Sequence, residues 1–229
     1  EEDPRCVAVI KREQVPENKL GHLKQDWDVL IGEGMITHYM GDALCLVVSD
    51  DKNALEDLKK LIVVEYEELE GVFTPEDALT GKILVHENEK DNILTTQHIL
   101  RGDAISELKN CEYVVEQDYH TPFTEHAFME PECALALPDK NNGIFAITGS
   151  QSIYDDQREI AHMLHLPKHR VRVHSALVGG GFGGKEDMSV QHQAALCAYI
   201  LQRPVKVTLS RQESLLVHPK RHPMDIHIK

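Results

Sequence analysis

The chain has 229 residues, 41% of them hydrophobic and 27% charged, which suits one large globular domain or two small ones and excludes a disordered chain. A net charge of −14 argues against nucleic acid and anionic membranes as partners, since both call for clustered Lys and Arg. No run reaches the roughly 18 apolar residues of a membrane helix, and no signal peptide is visible.

The chain opens on Glu1-Glu2-Asp3-Pro4 without an initiator Met. It closes on Met224–Lys229, which alternates like a strand with no turn signal after it, so a piece of a longer polypeptide is expected. Leu44–Val48 reads as a buried strand and Ser49-Asp50-Asp51 as a turn and helix cap, after which Ala54, Leu55, Leu58 and Leu61 recur at helical spacing. Ile62–Tyr66 is a second predicted strand, giving a βαβ-like layer. Thr74-Pro75-Glu76-Asp77 starts a short helix with Pro in its first turn. The polar run Glu87–Asp103 has weak periodicity, which places a linker over 95–110 between a first domain at 1–94 and a second at 111–229.

In the second part Tyr113–Tyr119 and Gly143–Thr148 read as strands. Ser152 is placed to cap a helix with Asp155 and Asp156 in its first turn and Ile153, Ile160, Ala161 and Leu164 on its apolar face, ended by Pro167. Arg170–Val178 alternates as a strand, with Val171, Val173, Ser175 and Leu177 on one face. Gly179–Gly184 follows, and a helix is expected to open near Lys185 or Glu186 and run to Gln202. Arg203-Pro204 stops it, and Val205–Leu209 is a further strand. The basic residues between Arg203 and Arg221 are interleaved with apolar and acidic ones, as on a solvated face. Cys6, Cys45, Cys111, Cys133 and Cys197 are odd in number and widely spaced, a pattern of reduced structural thiols in a cytoplasmic protein.

The five glycines of Gly179–Gly184 let backbone N–H groups approach a ligand closely, and a helix N-terminus behind them would add positive partial charge. That construction suits an anionic or oxo-bearing ligand, and a glycine-rich turn needed only for packing stays open beside it. A Walker A loop fits poorly, because Glu186 stands where Ser or Thr would hold magnesium. A dinucleotide fingerprint lacks its GxGxxG frame. His162, His165 and His169 read as exposed histidines rather than a metal site, and His120 and His126 as structural hydrogen-bonders.

Gly179–Glu186, reading GGGFGGKE, resembles the loop over the molybdenum centre in the xanthine dehydrogenase and aldehyde oxidase family. Gly149-Ser150-Gln151-Ser152 resembles that family's upstream glutamine motif, and His126–Glu132 the segment before it. Gln25–Leu30 and Tyr39–Asp42 resemble parts of its hammerhead α/β domain. Similarity is strongest to the purine-hydroxylating branch often called selenium-dependent xanthine dehydrogenase. The resemblance implies a partial hammerhead α/β domain, truncated at its N-terminus, followed by the first part of the molybdenum-cofactor-binding α+β domain.

It also implies roles. Gln151 would donate its amide to an oxygen or sulfur ligand of molybdenum, and Phe182 its backbone N–H to the apical oxygen, with Gly181 and Gly183 keeping the approach open. Neither would ligate the metal directly. Glu186 would hydrogen-bond the substrate ring, which favours a purine over an aldehyde. The implied cofactors are a molybdenum pterin here and [2Fe-2S] and FAD on other domains or subunits. The implied partners are the rest of the molybdenum subunit, the iron–sulfur and flavin modules, a purine of the xanthine or hypoxanthine type, and a second copy in a homodimer. The family's glutamate base, substrate arginine and most pterin contacts fall past Lys229, so the isolated chain is expected to be inactive. An aldehyde or other N-heterocycle oxidoreductase, and a non-catalytic scaffold, stay open as alternatives.

Overall fold

The computed structural model describes residues 2–229. The chain forms two compact units, one comprising the residues up to Ile62 with Phe123–His222, the other Val63–Pro122 with Pro223–Lys229. Both combine helices and strands, as expected of an α+β chain.

The first stretch of the larger unit holds four short strands, β1 (Ala8–Ile10), β2 (Lys19–Leu20), β3 (Trp27–Asp28) and β4 (Leu46–Val48), then helix α1 (Leu55–Lys60). β1 pairs antiparallel with β4, and β2 with β3. The expected βαβ layer is therefore corrected: β4 has an antiparallel partner, and Ile62–Tyr66 forms no strand. Val63 there is 86% exposed. β-branched residues favour a strand only when a neighbouring edge and a buried face receive them.

The smaller unit holds α2 (Pro75–Leu79), α3 (Ala104–Lys109) and β5 (Gln117–Thr121). Thr74 caps α2 through its hydroxyl, with Pro75 in the first turn as the sequence predicts. β5 pairs antiparallel with the strand Met224–Ile228.

The larger unit resumes with β6 (Cys133–Asp139), β7 (Gly143–Thr148), α4 (Ile153–Met163), β8 (Val171–Ser175), α5 (Gln191–Leu201), β9 (Val205–Thr208) and α6 (Arg211–Val217). β10 (Met224–Ile228) ends the chain, its Met224 opposite Thr121 of β5. The sheet order is β8-β7-β6-β9, with β7 and β8 parallel and the other pairs antiparallel. Ala134 and Ala136 of β6 and Ala194, Ala195 and Ala198 of α5 all belong to one buried core. Small side chains on both elements let the helix settle close on the sheet, so enlarging any of them overpacks the contact. Cys197 in this core packs as a small hydrophobe, and burial pushes its thiol up to about 12. All five cysteines are free.

Two further expectations are corrected. Leu177 is 99% exposed and does not share the inward face of Val171. No helix opens at Lys185 or Glu186, because α5 begins at Gln191. Lys185 and Met188 turn inward and are buried, which holds the chain in turns. The Gln191 Oε1 accepts from the N–H groups of Ser189 and Val190 at 2.9 Å each, ordering the entry to α5 well past the glycines.

Helix α6 is set by a capping box: Ser210 Oγ accepts from Glu213 N, and the Glu213 carboxylate accepts from Ser210 N at 2.8 Å. Ser210→Ala is expected to cost about 1 kcal/mol, read as a lower thermal midpoint, whereas an unchanged midpoint would mean the box carries no stability.

Candidate functional site

β7 and β8 run parallel, so the segments leaving Thr148 and Ser175 emerge from the same edge of the sheet. Ligand sites in sheets with parallel strands favour that carboxyl edge. Two bonds join the segments at once: Ala176 N donates to Thr148 O at 2.8 Å, and Ser175 Oγ to Ser150 O at 3.2 Å. Farther out, Gln151 N donates to Lys185 O at 2.8 Å. The glutamine segment and the glycine loop, separate in sequence, are thus brought together.

The Gln151 side chain is oriented by the loop. Its Oε1 accepts from Gly183 N and Lys185 N, both at 3.2 Å. With the carbonyl oxygen engaged, the amide NH2 is the end left to face a ligand. Gly181 permits this closeness: a Cβ there would lie 2.1 Å from Gln151 Oε1. Gly184 N donates to Gly181 O at 2.8 Å, closing a tight turn whose central residues, Phe182 (φ 54°) and Gly183 (φ 89°), both lie in the left-handed region. A non-glycine residue adopts that region at a cost, and such strain gathers at functional sites. The Phe182 ring is 74% exposed, so it is not a core anchor. Among the described residues, the N–H groups of Gly180, Gly181 and Phe182 have no protein acceptor.

Lys185 decides against a phosphate cradle. Its side chain is buried, and its Nζ lies 4.4 Å from the centroid of the Phe128 ring, a cation–π contact that turns the charge away from the loop mouth. Gly184 lies over the same floor, where a Cβ would meet Phe128 Cε1 at 2.8 Å and His126 Cγ at 2.9 Å.

Glu186 is exposed and follows directly on this loop. With Trp27, His22, Met188 and His192 it lines a narrow cleft of about 20 Å³, room for roughly one water. His192 is buried at the cleft with its Nδ1 unpartnered, and burial pushes its imidazole down to about 4, so it is neutral. Gln151, Gly181 and Gly183 are thus brought together around Phe182, whereas Glu186 lines the cleft beside Trp27 and His192. Among the described residues His162, His165 and His169 form no metal-competent group, and His165 Nε2 lies 3.9 Å from Glu17 Oε2.

Two buried groups escape sequence reasoning. Asp156 of α4 has no solvent exposure, and burial raises its carboxyl to about 7. Its position in the first helical turn gives it the look of an ordinary N-terminal acid. His126, a structural hydrogen-bonder by sequence, has a buried Nδ1 without a partner, in a cluster with Glu125 and His218. No sequence spacing joins residues so far apart.

Residues 85–229 match the model of the molybdopterin cofactor-binding domain. The chain is 37% identical over 224 residues to the nicotinate dehydrogenase large molybdopterin subunit of Eubacterium barkeri, covering 97% of this chain and 52% of that protein. It is 35% identical to a probable xanthine dehydrogenase subunit of Bacillus subtilis, covering 97% of this chain and 30% of that one. The chain thus spans about half the length of the first of these relatives, and less of the second. In fold it resembles the aldehyde oxidoreductase of Desulfovibrio gigas, with a TM-score of 0.90 at 21% identity over 98% of this chain and 26% of that one. The chain belongs to the molybdopterin-binding subunits of the xanthine dehydrogenase and aldehyde oxidase family.

Proposed function

We propose that this chain contributes one wall of the molybdenum pocket in an enzyme that hydroxylates electron-poor N-heterocycles, purines foremost, with water as the oxygen source. The observation that carries the reading is the fixed amide of Gln151. Its oxygen is held by Gly183 N and Lys185 N, which leaves the NH2 as the end able to donate to a ligand. Only a glycine at 181 lets the glutamine sit this close, since a Cβ there would lie 2.1 Å from Gln151 Oε1. Such a donor fits the oxo- and sulfur-bearing face of a pterin-held molybdenum without offering it a ligand atom.

When bound, the molybdenum pterin supplies the oxidation chemistry. The chain's own residues position. Gln151 and the Phe182 N–H would hydrogen-bond the metal's ligands, and the turn at Gly181–Gly184 holds those donors in place. Glu186, exposed directly after the loop, would accept a hydrogen bond from a ring N–H of the substrate. The same reading places [2Fe-2S] and flavin modules, and the rest of the molybdenum subunit, around this chain as partners. The cytoplasm is the compartment proposed, in keeping with free cysteines; among the described residues no helix is long and apolar enough to cross a membrane.

Glu186→Ala in the full-length protein tests the substrate assignment. Because the side chain is exposed, molybdenum content and thermal midpoint stay unchanged, while kcat/KM for xanthine or hypoxanthine falls about ten- to a hundredfold, the loss expected for a charged hydrogen bond. Unaltered purine turnover would remove Glu186 from the substrate site. The relative named for nicotinate makes that acid the natural comparison substrate: turnover of nicotinate with none of either purine would move the specificity to a pyridine carboxylate.

A further inference from the structure

On the far side of Gly184 from the loop mouth, Glu125, His126 and His218 converge, each offering a ligand atom within 4.8 Å of the others. The geometry of His218 is the informative part. It is 2% exposed, and its Nδ1 lies 2.6 Å from Ser214 O in the last turn of α6. A carbonyl oxygen only accepts, so Nδ1 carries the proton. The other nitrogen, Nε2, then faces Glu125 Oε1 at 2.9 Å with no hydrogen bond of its own. A ring nitrogen and a carboxylate oxygen that close share either a proton on Nε2 or a bound metal cation. The His126 Nδ1, buried and unpartnered, belongs to the same cluster, its ring centroid 5.5 Å from that of His218.

The surroundings match those of a metal-binding histidine. Such residues donate their second ring N–H to a carbonyl or carboxylate, and here Nδ1 has Ser214 O with Glu132 Oε1 behind it at 3.5 Å. Glu132 is 5% exposed, and neither of its oxygens has a hydrogen-bond partner. Lys220 Nζ lies 3.0 Å from Glu125 Oε2, and Glu125 Oε1 accepts from Ala127 N at 3.2 Å, which together fix the carboxylate against His218.

We propose that Glu125, His126 and His218 bind a divalent transition-metal cation of the zinc class, at a site separate from the glycine-loop pocket. Two imidazole nitrogens and one carboxylate oxygen suit zinc, with a fourth position left for water. The site is structural in placement: it ties α6 to the segment carrying Phe128, the floor beneath Gly184 and Lys185.

The test is zinc chloride added to the purified full-length protein, followed by gel filtration and metal analysis. One equivalent of zinc is expected to remain, with affinity lowered at least about tenfold by His126→Asn and by His218→Gln. Should either variant fail to fold, cobalt(II) in the wild-type protein serves instead, and the intense visible absorption of a four-coordinate nitrogen–oxygen site is expected. No retained zinc, or only the pale spectrum of six-coordinate cobalt, overturns the proposal and leaves His218 as an imidazolium between Ser214 and Glu125. Equal zinc uptake in well-folded variants overturns it as well.

Discussion

Gly181→Ala in the full-length protein is expected to lower turnover by on the order of a hundredfold, and Gln151→Ala to do the same. The two losses have one cause. A Cβ on Gly181 would lie 2.1 Å from Gln151 Oε1, so the glutamine must leave the position in which Gly183 and Lys185 hold it. Gln151→Ala removes the same donor directly. The double variant should therefore be about as impaired as either single one, since residues acting as a unit do not add. Steady-state kinetics on the three variants, each with its molybdenum content measured, decide the matter. Losses that multiply would show that the two residues act separately.

Asp156→Asn is expected to stabilise the protein above neutral pH and to flatten its pH profile. Asp156 has no exposure; its Oδ1 meets Gln191 Nε2 only at 3.5 Å, and its Oδ2 has no partner. Burial is the dominant influence and raises the carboxyl from its ordinary 3.8 to about 7, with the nearby polar groups of Ser150 and Gln191 too weakly engaged to offset it. The folded state thus holds a proton that the unfolded chain releases. The contribution to stability is complete below about pH 4 and is lost as pH rises through about 7. A shift of that size corresponds to roughly 4 kcal/mol at full ionisation, an order of magnitude rather than a balance. Asn keeps the shape and carries no charge, so the variant's melting temperature should exceed the wild type's at pH 8.5 and converge on it near pH 4. Parallel profiles would show that Asp156 ionises freely where it stands.

The parts legible in the sequence are those whose cause is local. Gly143–Thr148 and the strand beginning at Val171 alternate and lie in one sheet, and Thr74-Pro75 starts its helix. Resemblance to a family pairs Gln151 with the glycine loop, and the physical reason they meet is that their strands are parallel neighbours. The helix expected at Lys185 is absent for a non-local reason: Lys185 is drawn over Phe128, which belongs to a distant segment, and Met188 is buried. The strand expected at Ile62 is absent because propensity supplies no partner edge. Asp156 and the cluster around His218 are illegible for the same reason as Lys185, since burial is decided by packing between segments that the local pattern does not connect.

The most direct measurement is the crystal structure of the full-length protein with its molybdenum pterin bound. The account predicts Gln151 Nε2 and Phe182 N within about 2.7–3.2 Å of oxygen or sulfur ligands of the metal, with Gln151 Oε1 still accepting from Gly183 and Lys185. A cofactor seated away from the glycine loop, with neither donor in hydrogen-bond reach, would contradict it.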